Sequence, residues 1–251
     1  MITELNEPSD KTPCIQCGDL ITINNRFCNY CGAAQYIAPR EAFSYKLMLM
    51  KQAGFYYAID LLVCILAFFD TFHGLSWLIC ADAIMAFTAV AFFAYDWQRN
   101  KEILKWKSFS FIKLLGFCTI AVTAQVLVHY SVNWLNLTVY SKDVSYYSFY
   151  ASYDYGKILL IMFTAVFPAL FEELGYRGYL LQTLSKITDD QQAVYISAFL
   201  FAIIHLSLLS LFWLIPFALF LGFIRVREKT IWYGVFFHFC FNLTACLFEL
   251  L

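Results

Sequence analysis

From Lys51 onward the chain runs through one long apolar segment after another, and this constrains its fold more than any other feature. A helix that crosses a bilayer needs about 20 mostly apolar residues. Seven stretches read as such helices: 53–72, 75–97, 109–134, 157–182, 191–208, 210–225 and 230–251. The fifth and sixth are separated only by the serines at 207 and 210. Composition agrees, with 61% hydrophobic and 14% charged residues, where soluble domains carry about 45–50% and about 25%. A globule of this composition would have too few polar groups to cover its surface. That excludes an ordinary soluble enzyme and a disordered chain. The expected fold is an all-α polytopic membrane protein of about seven transmembrane helices. A net charge of -1 offers no basic surface for nucleic acid. The amino-terminus does not read as a signal peptide, because acidic residues and cysteines stand where an apolar core should be. No internal repeat or low-complexity tract is visible.

Basic residues mark the cytoplasmic side of membrane proteins. Arg40, Lys46 and Lys51 precede the first helix, and Arg99, Lys101, Lys105 and Lys107 lie between the second and third. Lys186 follows the fourth, and Arg225, Arg227 and Lys229 separate the sixth from the seventh. Seven helices with a cytoplasmic amino-terminus place all four clusters on one side. Only Lys142 and Lys157 fall on the other, beside a Tyr- and Ser-rich loop at 136–156.

Residues 1–40 read as a separate small domain and linker, and 41–251 as the membrane domain. The small domain holds Cys14-Ile-Gln-Cys17-Gly18 and Cys28-Asn-Tyr-Cys31-Gly32. Two C-x-x-C pairs supply four thiolates for a tetrahedral zinc ion. The glycine after each pair allows the tight turn that aims backbone amides at sulfur. A disulfide reading is weaker, because cytoplasmic thiols stay reduced. The block therefore reads as a structural zinc ribbon that folds with its metal. Four cysteines leave no open coordination position, so an interaction or regulatory module is expected, one that recruits a protein partner. Cys64, Cys80, Cys118, Cys240 and Cys246 sit singly on apolar helices and read as small hydrophobes.

Ionisable groups inside a membrane helix cost about 2.5–3.5 kcal/mol each on insertion scales, which makes them functional candidates. The fourth segment carries Glu172-Glu173-Leu-Gly-Tyr-Arg177. Glu173 and Arg177 are four apart and can pair on one face, while Glu172 points about 100° away in an α-helix. Pro168 removes the bond to the Thr164 carbonyl and bends the helix just before the carboxylates. His205 follows Phe201 by four in the fifth helix, and Asn242 follows His238 by four in the seventh. A base, proton partners and hydrogen-bond donors for an oxyanion are thus available on three helices. Asp60 and Asp82 read as interhelical hydrogen-bonding residues, with an ion or proton relay as the alternative. Asp70 and Asp96 fall near helix ends, His73 in a turn, and His129 at an interfacial position.

The motifs E-E-x-x-x-R, F-x-x-x-H and H-x-x-x-N, in this order, resemble those of the CPBP intramembrane proteases (the Abi family). This group includes CAAX prenyl endopeptidases, bacteriocin-processing enzymes and bacterial relatives. The resemblance covers about 157–251 and leaves out the ribbon and the first three helices. It implies an endopeptidase in a bacterial cell membrane, acting on a membrane-associated or small peptide. Glu172 would activate water with help from His205. His238 and Asn242 would stabilise the oxyanion, and Glu173 and Arg177 would support the site. The resemblance leaves a catalytic metal open: one Glu and two His could form a three-ligand zinc site, but no H-E-x-x-H signature is present. Glutamate chemistry without metal is preferred. Two other readings stand beside it. One is a non-catalytic membrane binding or immunity-type protein whose ribbon recruits a partner. The other is an ion-coupled transporter, which expects repeated halves.

Overall fold

The computed structural model describes residues 11–22, 25–35, 39–69, 74–140 and 145–251. Asp70, His73 and Lys142 lie outside the described residues. The chain divides into two compact units, Met1–Met48 and Leu49–Leu251.

In the first unit, β1 (Lys11–Pro13) pairs antiparallel with β2 (Leu20–Thr22), Thr12 opposite Ile21. Its small core is Cys14, Ile21 and Cys28 with Ala33 packed against them. So little apolar surface cannot by itself offset the chain entropy lost on folding.

The elements that follow are helical, the first of them beginning before the boundary at Leu49. Helix α1 is Pro39–Leu66 and α2 is Leu75–Tyr95. Helix α3, Phe111–Leu135, starts where the Ser110 side chain accepts from Lys113 N. Helix α4 runs from Gly156 to Leu184. Helix α5 is Asp190–Ile203, capped by Asp189 accepting from Gln192 N at 2.8 Å. Helix α6 is Leu211–Glu228, ending at Lys229 with a left-handed φ of 54°, and α7 is Trp232–Leu250. Among the described residues, five helices are long and apolar enough to cross a membrane: α1 from Phe43, α2, α3 extended to Thr138, α4 and α7. The chain is therefore a multi-pass membrane protein. The segments expected at 191–208 and 210–225 are the shorter α5 and α6, which pack on each other. At 1.5 Å per residue they reach about 21 and about 27 Å, short of an apolar core about 30 Å thick. Five full spans plus such a hairpin leave both chain ends on the same sides as seven spans do.

The first helix also differs from its expected bounds, starting at Pro39 and stopping at Leu66. Arg225 and Arg227 extend α6 rather than forming a loop.

Polarity is arranged inside out. Ile112 and Phe87 are largely exposed, whereas Asp60, Gln125, Glu173, Arg177 and His238 are buried. An apolar exterior and a hydrogen-bonded polar interior are what a lipid solvent favours. Three of the basic segments meet at one end of this unit. Arg99 Nη2 donates to Thr183 Oγ1 at 3.1 Å, Arg225 Nη2 donates to Gln182 Oε1, and Lys113 pairs with Glu228 at 2.7 Å. Asp96 caps the short helix Trp97–Asn100 and pairs with Arg99. His129 stacks on Phe248, ring centroids 4.0 Å apart.

Helix α4 is wound wider than an α-helix. Met162–Val166 and Pro168–Leu180 form π-helix, with backbone bonds reaching five residues back. Pro168 cannot donate to Thr164, and a widened turn is one way to absorb the lost bond. Helix α2 packs along the Pro168–Leu180 stretch, and α7 packs against both α3 and α4. Tyr56 of α1 reaches α4 at Gly175, packing edge-on against Tyr176 and Tyr179. A Cβ at Gly175 would lie 2.0 Å from the Tyr56 hydroxyl. Gly175→Ala should therefore lower stability in detergent by about 1–3 kcal/mol, the usual cost of overpacking. Thermal unfolding checks this, and adding Tyr56→Phe should recover part of the loss by removing the clashing hydroxyl.

Candidate active site

Four ionisable side chains from α4 and α7 form a continuous buried line. Arg177 Nη1 lies 3.0 Å from Glu173 Oε1, and His238 Nδ1 lies 3.0 Å from the same oxygen. His238 Nε2 faces Glu172 Oε2 at 3.9 Å. Glu173, Arg177 and His238 are almost wholly buried, while the Glu172 side chain retains 19% exposure. A carboxylate can only accept, so Nδ1 of His238 donates to Glu173. In the neutral ring this leaves the Nε2 lone pair facing Glu172. The Arg177 contact is an ion pair by proximity: Nη1 is misaligned for a hydrogen bond, while Nη2 donates to the Ala218 carbonyl at 3.4 Å.

The wide turn and a close helix approach build this arrangement. The Glu173–Arg177 pair expected from the four-residue spacing is present. The two neighbouring carboxylates, however, flank one imidazole from α7. Helix α7 comes near enough because residue 234 is glycine. A Cβ there would meet the second oxygen of Glu173 at 3.0 Å. That oxygen has no hydrogen-bond partner.

Phe201 holds the line from beneath. The Arg177 guanidinium sits 4.4 Å from its ring centre, a cation–π contact. The His205 and His238 rings lie 5.0 and 6.2 Å from it. Phe217 packs edge-on to His238 at 4.9 Å. Nothing in the residue order marks Phe217 or Tyr56 as site residues, because aromatic residues are common throughout the chain.

Two expected site residues stand differently from their sequence reading. His205 is not inside a membrane helix: α5 ends at Ile203, and His205 is exposed in the turn beyond it. Its Nδ1 donates to the Phe201 carbonyl at 2.9 Å, and its Nε2 makes no hydrogen bond among the described residues. Asn242 donates from Nδ2 to the Thr164 carbonyl at 2.8 Å. That carbonyl is the one Pro168 leaves without its helical partner. Asn242 therefore ties α7 to the bend in α4, and one of its two amide hydrogens is committed there.

Asp60 and Asp82 do not bond each other across α1 and α2. Both line a cavity of about 50 Å³ that Glu172 also lines, with room for a few waters. A second cavity of about 380 Å³ is walled by Leu127, Val128, Phe217, Phe220, Phe237 and Phe241. It is almost wholly apolar.

Among the described residues, only the four cysteines bring metal-ligating atoms together, all within 4.8 Å of one another. The Cys14–Cys31 and Cys17–Cys28 sulfurs are each 3.7 Å apart. A tetrahedron with metal–sulfur bonds of about 2.3 Å has edges of about 3.8 Å. The two knuckles repeat one design. Gln16 N points at Cys14 Sγ and Tyr30 N at Cys28 Sγ, both at 3.4 Å, and Gly18 and Gly32 take positive φ. The amides of Cys17 and Gln16 draw the Cys14 thiol down to about 6, which favours the thiolate at that position, while burial holds Cys17 and Cys31 up. These cysteines could hold a metal ion. Glu172, His205 and His238 do not converge in this way, so they do not fit a directly bound three-ligand zinc.

Fold and buried cluster together define a multi-pass membrane protein with a carboxylate–imidazole centre inside its helices. Residues 154–244, somewhat over a third of the chain, match the family described as type II CAAX prenyl endopeptidase Rce1-like. It contains all three polar motifs, and the ribbon and α1–α3 lie outside it. No curated protein and no solved structure matches the chain.

Breaking a buried ion pair from one side costs about 3–5 kcal/mol, because the remaining charge stays uncompensated. Arg177→Gln should lose about that much stability, and Glu173→Gln added to it should restore part. Thermal unfolding of the two variants checks the coupling. A double variant that loses the sum of the separate Arg177→Gln and Glu173→Gln losses would show the pair to be uncoupled.

Proposed function

We propose that this protein is an intramembrane endopeptidase that hydrolyses a membrane-associated or small peptide with water activated by Glu172. The observation that carries the reading is the His238 imidazole held between Glu173 and Glu172 in an Rce1-like segment. Glu172 borders a cavity with room for water. It takes a proton from that water as the oxygen attacks the scissile carbonyl, and returns the proton to the leaving amine. Glu173 stabilises the imidazolium form of His238, whose Nε2–H then donates to the tetrahedral oxyanion. His205, with its Nε2 unengaged, assists Glu172 from the exposed side. Arg177 fixes Glu173, and Asn242 fixes α7 against the bend of α4. No step requires a catalytic metal. The apolar cavity beside Phe217 receives the apolar part of the substrate.

The amino-terminal unit holds structural zinc. The sulfur spacing fits that ion, and Ile15, Leu20, Phe27 and Tyr30 are exposed on the same unit as a docking face for a protein partner. The basic segments gathered at one end of the membrane unit favour a cytoplasmic setting for that end, and a cytoplasmic amino-terminus with it.

The decisive experiment expresses wild type and Glu172→Gln at matched levels in a host lacking the protein, then maps peptide termini by mass spectrometry. Termini found only with wild type are expected, and they name the substrate and bond. Identical profiles from two folded, inserted proteins would favour the binding-protein alternative. For the ribbon, elemental analysis should find one zinc per chain in wild type and none after Cys14→Ala with Cys28→Ala. Cobalt substitution should give the absorption of a tetrahedral tetrathiolate.

A further inference from the structure

Hydrolysis consumes one water at each turnover, and the apolar interior of a bilayer supplies none. Glu172 shares a cavity of about 50 Å³ with Asp60 of α1 and Asp82 of α2. A water needs about 10–15 Å³ of such space, so there is room for about three or four. Besides these three carboxyls and the hydroxyls of Tyr56 and Tyr176, the lining side chains are apolar: Met85, Ala86, Phe167, Pro168 and Phe171.

The polar atoms around this space are not satisfied by one another. Asp60 is 1% exposed, and its Oδ1 has no hydrogen-bond partner. Asp82 Oδ2 is also buried and unpartnered. The Tyr176 hydroxyl, from α4, leans toward Asp60 but falls short of hydrogen-bond geometry. A buried polar atom left this way costs about 1–3 kcal/mol. Three of them around one small space point to a ligand that both donates and accepts, and water is the one that fits. Neither aspartate has a counter-cation. No basic side chain lines the cavity, and Arg177 and His238 are both engaged by Glu173 at 3.0 Å. Burial without a cation favours the neutral carboxylic acid, which has one O–H donor and keeps acceptor lone pairs.

We propose that Asp60 and Asp82 are positioning residues that hold a standing cluster of waters beside Glu172, from which Glu172 draws the water it activates. The two acids neither take nor release a proton in the reaction. Each donates to one water and accepts from another, and the water nearest Glu172 is the one it deprotonates. Both aspartates lie outside residues 154–244, so α1 and α2 serve a centre carried by α4 and α7. The role in turnover rests on the protease reading; the water cluster itself does not.

The test is hydroxyl-radical footprinting of the full-length protein in detergent, its ribbon loaded with zinc. Radiolysis of water labels a buried side chain where water sits beside it. Tyr56 and Tyr176, each 1% exposed, should be labelled in wild type well above Phe93, which is 3% exposed and does not line the cavity. Asp82→Leu should cut that labelling severalfold, because leucine neither donates nor accepts. Asp82→Asn should keep it, because an amide, like a neutral acid, does both. Asp60→Leu and Asp60→Asn should repeat the contrast, and if Asp60→Leu fails to fold, the Asp82 variants carry the test. On the substrate found by terminus mapping, Asp82→Leu should lower kcat by about tenfold or more with KM unchanged. Tyr56 and Tyr176 labelled no more than Phe93, labelling kept in folded Asp82→Leu, or labelling lost in folded Asp82→Asn would overturn the proposal. So would full kcat in an Asp82→Leu protein that has lost its labelling. The expected labelling pattern in a protein without proteolysis refutes only the protease reading.

Discussion

Everything in the membrane unit is arranged around a charge that lipid will not solvate. Glu173 is fully buried, and a carboxylate in that position is tolerable only with partners on several sides. Arg177 supplies one from its own helix and His238 another from α7. These contacts dictate how near α7 must come to α4, hence the glycine at 234 and the aromatic packing of Phe201 and Phe217 beneath the polar line. The same contacts place His238 beside Glu172. A stabilising pair and a candidate reaction centre are therefore one construction.

The bend at Pro168 is the second constraint. A proline in a membrane helix leaves a carbonyl that lipid cannot satisfy. The Asn242 amide satisfies it, which couples the shape of α4 to the position of α7 two residues from the end of the Rce1-like segment. The widened winding that follows Pro168 presents Glu172 and Glu173 to the same imidazole. In a regular α-helix two consecutive side chains diverge by about 100°. The short α5 and α6 follow the same logic of placement over span: they carry Phe201 and Phe217 to the centre without the length of a full crossing.

Much of this was legible in the residue order. Long apolar segments require helices in lipid, because backbone groups there must be satisfied internally. The cysteine pairs demanded a four-sulfur cluster, since that spacing has few other uses. The i, i+4 spacing of Glu173 and Arg177 carried their pairing, and Pro168 announced the orphaned Thr164 carbonyl. The limits of α5 were not legible: Leu206, Leu208 and Leu209 continue the apolar run past the end of the helix, so nothing in composition marks His205 as lying in a turn.

What the sequence determined by itself was local and compositional: a membrane class, a ribbon, three polar motifs and a bend. Tertiary structure alone decided which polar groups meet. Asp60 and Asp82 read as interhelical polar residues, and packing alone set both beside the cavity of Glu172. Asn242 read as an oxyanion donor, and packing also commits one of its amide hydrogens to the Thr164 carbonyl. The physical reason is that periodicity fixes the face a residue occupies on its own helix, whereas its partner depends on the rotation and depth of the neighbouring helix. Those are set by close packing around glycines and aromatic rings, a global property of the folded chain.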